Sequence, residues 1–149
     1  MKKVFSGGDK LEKTLRLLAV KAKNSGVLNV GFPEGSTESD GTSTPLVAYI
    51  NEFGKEGQPP RPFFRRMIAK ESPHWGKDLG KFLKKHNFDA ISALKDMGEE
   101  IHGELVESIQ ELVDPPLAPS TIARKGFDKP LIETGRMWQN ITSEVKEKE

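Results

Sequence analysis

Cysteine is absent from all 149 residues, which removes disulfides, thiolate metal sites and cysteine nucleophiles from consideration. Aromatic side chains are sparse, with a single Tyr and two Trp. No apolar run approaches the ~20 residues that cross a bilayer. The amino terminus, Met1-Lys2-Lys3-Val4-Phe5-Ser6-Gly7-Gly8, opens on basic residues but lacks the apolar stretch of a signal peptide. Also missing are a Gly-x-Ser-x-Gly elbow, a phosphate-binding loop, a dinucleotide glycine pattern and any internal repeat. These absences predict a cytoplasmically made protein that is not an enzyme and takes no cofactor, metal or small-molecule substrate.

What remains is a chain of one-domain size, residues 1–149, with 35% apolar and 30% charged residues. That balance gives a modest core and a large wetted or partner-facing surface, and such chains often complete their burial against further copies. The net charge of +1 hides a segregation. Residues 55–85 hold nine bases against three acids, a net +6, whereas residues 86–114 hold eight acids against Lys95, a net −7. Segments so charged can pair with each other or with the next copy.

A first helix is expected from Asp9, with Glu12 completing a capping box and Leu11, Leu15, Leu18 and Ala22 on one face. After Asn24-Ser25-Gly26, Val27–Phe32 reads as a strand. Residues 34–44 contain no large apolar side chain to offset the entropy of ordering, which predicts a mobile loop. Thr44-Pro45 signals a short helix with Leu46, Ile50 and Phe53 on a stripe, ended by Gly54. Residues 55–64 form a proline-rich arm leading into a helix near Pro62, and Ser72-Pro73 restarts the chain, with Trp75, Leu79, Phe82 and Leu83 inward. The clearest element is a long amphipathic helix over residues 89–113, carrying Ile91, Leu94, Ile101, Leu105, Ile109 and Leu112, about 37 Å long at 1.5 Å per residue. Pro115-Pro116 ends it; a turn of helix near Gly135–Trp138 and a last strand, Ile141–Val145, follow.

Chemistry-bearing patterns are thin. Glu99 and His102 make one Glu-x-x-His pair, but carboxylate-bridged metal centres need two such pairs and further carboxylates. His74 and His86 show no paired ligand at helical or strand spacing, so no metal site is expected. Arg61, Arg65, Arg66 and the Lys77–Lys85 stretch, interleaved with Phe63, Phe64 and Trp75, offer a nucleic-acid surface. Against this, Phe63, Phe64, Met67 and Ile68 fall at helical spacing, which favours core.

Two blocks carry a resemblance. One is Val47-Ala48-Tyr49-Ile50-Asn51-Glu52-Phe53-Gly54 followed by Pro59-Pro60-Arg61-Pro62-Phe63-Phe64-Arg65; the other is Pro115-Pro116-Leu117, Thr121, Lys125 and Pro130-Leu131-Ile132-Glu133-Thr134-Gly135. In that order, around a long helix, they resemble the minor tail or tail-completion proteins of tailed bacteriophages, virion morphogenesis proteins related to the Z protein of phage lambda. The resemblance covers roughly residues 45–145. It implies a structural virion protein, assembled in the host cytoplasm, that completes the tail or joins it to the head at the neck as a ring of identical copies. Its implied partners are those copies and the terminator, head-closure or tail-tube proteins, with the genome passing through the channel. The assembly candidates it nominates are Pro59, Pro60, Arg61, Pro62, Phe63, Phe64, Arg65, Thr121, Lys125, Pro130, Leu131, Thr134 and Gly135. In physical terms, prolines stiffen an arm so that it loses little entropy on docking, and Phe63 or Phe64 anchors its end. Loop packing inside the subunit is the competing explanation of both blocks.

The fold expected is α+β, a small antiparallel sheet packed by helices. The rival functions are a tail terminator or head-closure ring protein and, from another class, a nucleic-acid-binding protein using residues 61–85.

Overall fold

Seven elements follow one another in a computed structural model that describes residues 7–23, 25–112, 123 and 136–148. They are α1 (Gly8–Lys23), β1 (Gly26–Gly31), α2 (Thr44–Phe53), α3 (Phe63–Lys85), α4 (Ala90–Glu111), α5 (Arg136–Gln139) and β2 (Thr142–Glu147). The fold is α+β and mostly helical. The second block of the resemblance, with Thr121, Lys125, Pro130, Leu131, Thr134 and Gly135, lies outside the described residues.

The sheet joins the two ends of the described chain. β1 and β2 pair antiparallel, from Gly26 opposite Glu147 to Gly31 opposite Thr142. Alternation decides which face is covered: Leu28, Val30, Ser143 and Val145 are partly buried, whereas Val27, Asn29, Glu144 and Lys146 are exposed. Helix α4 packs against this sheet on one side and along α3 on another. Gly98 permits the close approach, since a Cβ there would come within 2.9 Å of Leu28 Cδ1 and 3.1 Å of Ser143 Cβ.

The long helix keeps its expected place, with Asp89 at its N-cap and Leu112 at its C-cap. Asp89 uses its carboxylate to accept the Ser92 hydroxyl. Leu105 and Ile109 are fully buried and join Ala48, Phe63, Met67, Leu112, Met137 and Ile141 in the core. Phe32 meets Phe63 edge to face, with centroids 6.1 Å apart.

Two expectations need revision, and a third region, residues 34–44, carries hydrogen bonds that do not bear on its expected mobility. The chain does not restart at Ser72-Pro73: α3 runs unbroken through Pro73. Pro73 and Ala69 are both exposed, so the carbonyl that loses its helical partner lies where water can reach it. Helix α2 is turned over relative to its apolar stripe, for Thr44, Ala48 and Glu52 are buried while Leu46 and Phe53 are exposed. Within the 34–44 loop, Thr37 bridges Ser43, Glu38 N–H donates to Thr42 O at 2.8 Å, and Thr44 N–H donates to Ser36 O at 2.9 Å. The Asn140 amide donates to Thr37 O and to the buried Thr44 hydroxyl, so hydrogen bonds rather than apolar burial shape the loop.

Candidate assembly surface

The corner between α2 and α3 is built around one buried carboxylate. A helix whose N-cap is Pro62 has no capping side chain of its own, so the first N–H groups of α3 need an outside acceptor. Glu52 of α2 supplies it, accepting from Phe64 N–H at 2.9 Å, Arg65 N–H at 3.1 Å and Arg65 Nε at 2.8 Å. Arg65 also donates to Glu52 O at 2.8 Å and lies 5.0 Å from the Phe53 ring centroid. Between the helices Gly54 turns the chain at φ 77°, where a Cβ would come within 2.9 Å of both Gln58 O and Pro60 N. Arg61 N–H then donates to Asn51 O at 2.6 Å, and Ser108 of α4 donates its hydroxyl to Phe63 O at 2.7 Å.

This geometry divides the arm nominated from sequence. Phe63 is 1% exposed and belongs to the subunit's own core, so it is not an anchor for a partner. Arg61 is buried as well. Pro62 and Phe64 are half-buried, Pro59 and Pro60 are exposed, and Arg65 is exposed but engaged by Glu52. The arm is thus a corner with an outer rim rather than a free extension.

Beside the corner lies an open apolar groove of about 350 Å³, walled by Phe32, Ala48, Tyr49, Phe53, Phe63 and Phe64. The Tyr49 and Phe53 rings touch at a tilt of 46° with centroids 4.8 Å apart and remain 62% and 53% exposed. A second apolar surface sits elsewhere. On α1, Leu11, Leu15, Leu17 and Val20 are all exposed, and among the described elements α1 touches α4 alone. The shared face expected for Leu11 and Leu15 exists but is not packed.

A polar cluster missed at the sequence level occupies the α3–α4 interface. His74 Nε2 lies 2.7 Å from Glu71 and 3.5 Å from Glu104; its Nδ1 bonds Asp78 and lies 3.9 Å from Glu100. The bonds to Glu71 and then Asp78 push His74 up to about 9, which keeps it an imidazolium at neutral pH. His74 in turn holds Glu71 and Asp78 below the usual carboxylate range, helped by Lys70 and Lys81 respectively. Burial, reinforced by neighbouring carboxylates, raises Glu100 and Glu104, and Glu104 also accepts from Trp75 Nε1 at 2.8 Å. Two donor sets, Glu71–His74–Glu104 and His74–Asp78–Glu100, have the reach to hold a cation, but the short bonds describe an ion-pair knot fastening α3 to α4. The expectation that His74 has no paired ligand at helical spacing is overturned, and the break expected at Pro73 accounts only for Glu71, since Asp78 lies on the same expected helix as His74. The legible signal was Glu71 at i−3 and Asp78 at i+4 from His74. Glu99 and His102 do not join the cluster.

Part of the basic stretch is paired with neighbouring acids. Lys70 pairs with Glu71, Lys81 with Asp78, and Lys85 with Asp96 across the α3–α4 turn at 2.7 Å. His86 joins Asp96 at 2.8 Å. Glu71 and Asp78 are already counted in the +6 of residues 55–85, so of these ion pairs Lys85 with Asp96 is the one that ties that segment to the −7 segment. Among the described residues no helix is long and apolar enough to cross a membrane. No protein-family model, no curated protein and no solved structure matches the chain.

Proposed function

We propose that this protein is a structural component of a tailed-phage virion, completing the tail or joining it to the head at the neck as a ring of identical copies. The observation that carries the reading is the pair of separate apolar surfaces, on α1 and around Tyr49 and Phe53, that the described residues leave exposed. A small subunit that leaves large apolar side chains uncovered at two places has surface suited to neighbours rather than to a substrate. The ordered blocks around α2, the arm and residues 115–135 add the likeness to tail-completion proteins. The nucleic-acid alternative is supported less well, because Phe63 of its basic, aromatic stretch is buried in the subunit's own core.

Deleting the gene from a phage that carries it should yield heads and tails that fail to join, with infectivity restored by the wild-type protein in trans. The protein should also be found in purified virions. Tails of uncontrolled length would instead favour a terminator, and heads that leak genome a head-closure ring. Normal phage yield without the gene, or virions free of the protein, would sink the reading.

A further inference from the structure

We propose that His74, Asp78 and Glu100 form a site for one divalent transition-metal ion, which bridges α3 to α4. The site does not depend on a virion role, and it departs from the expectation that the chain binds no metal.

Spacing and packing bring the donors together. His74 and Asp78 stand four residues apart on one face of α3, and Glu100 enters from α4, the helix packed along it. One ligand atom of each lies within 4.8 Å of the other two. A tetrahedral ion with bonds of about 2.0–2.2 Å sets its donors roughly 3.4 Å apart. His74 Nδ1 holds Asp78 closer than that and lies 3.9 Å from Glu100 Oε1. Side-chain shifts of less than about 1 Å therefore admit the ion.

An observation separate from the bonds of the knot points to a cation. Glu100 Oε1 is wholly buried and accepts no hydrogen bond. The ring N–H groups of His74 go to Asp78 and Glu71, and the Trp75 N–H goes to Glu104. A buried carboxylate oxygen left without a donor is costly, and a bound ion removes that cost. Burial first, then the Asp78 and Glu104 carboxylates, raise Glu100, which reflects the same want of positive charge. Lys70 and Lys81 stand beside Glu71 and Asp78 at the exposed rim.

The surroundings suit a ligating histidine. Such a ring normally donates its other N–H to a carboxylate, and Glu71 takes that place 2.7 Å from Nε2. A cleft of about 200 Å³ between α3 and α4, lined by Glu71 and Glu104, gives an ion a way in. One imidazole with two carboxylates fits Zn²⁺ better than Mg²⁺ or Ca²⁺, which take oxygen donors. The ion replaces the Nδ1 proton that ties His74 to Asp78, so the ion-pair knot and the metal site are two states of one cluster.

Zinc chloride titrated into the full chain, first stripped of metal with a chelator, tests the proposal by calorimetry and thermal unfolding. One ion per chain should bind and raise the melting temperature, and magnesium chloride at the same concentration should do neither. His74→Gln and Glu100→Gln should each weaken zinc binding by about a hundredfold or more, and Glu71→Gln by roughly 10–100-fold, as for a supporting partner. Glu100→Gln is the sharpest variant. It removes a buried charge that lacks a donor, so the metal-free melting temperature should hold or rise while the site is lost. His102→Asn, on α4 outside the cluster, should keep wild-type affinity. No zinc binding, an equal response to magnesium, wild-type affinity in either His74→Gln or Glu100→Gln, or affinity lost in His102→Asn would overturn the proposal.

Discussion

Removing the Glu52 carboxylate should cost more than its single ion pair suggests. The side chain is buried and accepts three hydrogen bonds, two of them from the backbone N–H groups that open α3. Capping groups contribute about 0.5–2 kcal/mol, and a hydrogen bond to a charged group about 1.5–3 kcal/mol. Glu52→Ala leaves the Phe64 and Arg65 N–H groups without their acceptor at a partly buried helix start, so a loss of about 2–4 kcal/mol is expected. Glu52→Gln retains one carbonyl oxygen but turns an NH₂ toward a donor, and should cost about 1–3 kcal/mol. Arg65→Ala isolates the ion pair. Arg65 is more than half exposed, so screening limits that change to about 1 kcal/mol, including its contact with Phe53. Urea unfolding followed by circular dichroism at constant m-value gives all three numbers. Should Glu52→Ala fall within about 0.5 kcal/mol of wild type, or should Arg65→Ala cost as much as Glu52→Ala, the capping account is wrong.

Leu105 is fully buried between α4 and the core, so Leu105→Ala should lose about 2–5 kcal/mol in the same assay; a change inside the error would mean that the site is not closed. His74 is raised to about 9 from its ordinary value of 6.5, so its stabilising contribution is complete below pH 6.5 and disappears as pH rises through 9. The melting temperature of wild type should therefore fall across that window more steeply than that of His74→Gln, and parallel curves would contradict the imidazolium assignment. Pro59 and Pro60 are exposed on the rim of the corner, so replacing both by glycine should leave a folded subunit whose incorporation into virions is impaired. Normal phage yield from that folded variant would reduce the arm to a connector.

Periodicity made α4 legible almost to the residue, because a long stripe bounded by Asp89 and a double proline has one reading. The antiparallel pairing of β1 with β2 was legible from two short apolar runs, though each strand is displaced by one or two residues from its expected bounds. Helix α2 shows what periodicity leaves open. The residues Leu46, Ile50 and Phe53 do share a stripe, but the face turned inward carries Thr44, Ala48 and Glu52. A buried glutamate outranks an apolar stripe only because α3, eleven residues further on, needs an acceptor for its first N–H groups, and that requirement is not local. The His74 cluster was missed although its spacing is local: Asp78 stands at i+4 on the helix expected from Pro73, and Glu71 at i−3 joins it because α3 runs through Pro73.

The block from Val47 to Arg65 separates into two physical tasks. Glu52, Gly54, Arg61 and Phe63 face inward or set the backbone turn, and they hold the corner; Tyr49, Phe53, Pro59, Pro60 and part of Phe64 face outward. The inward set positions the walls that the outward set presents, since Tyr49 and Phe53 stand on α2 while Phe63 and Phe64 stand on α3. Loss of Glu52 should therefore weaken self-association only as far as it loosens that corner, in step with the fall in melting temperature. Loss of Tyr49 should weaken self-association with no fall in stability, because the ring contributes little to its own subunit. A firmly capped helix start lets the subunit place the Tyr49 and Phe53 rings in water without unfolding, so that substitutions of the outward residues and of the inward ones should read out separately within a single stretch of some twenty residues.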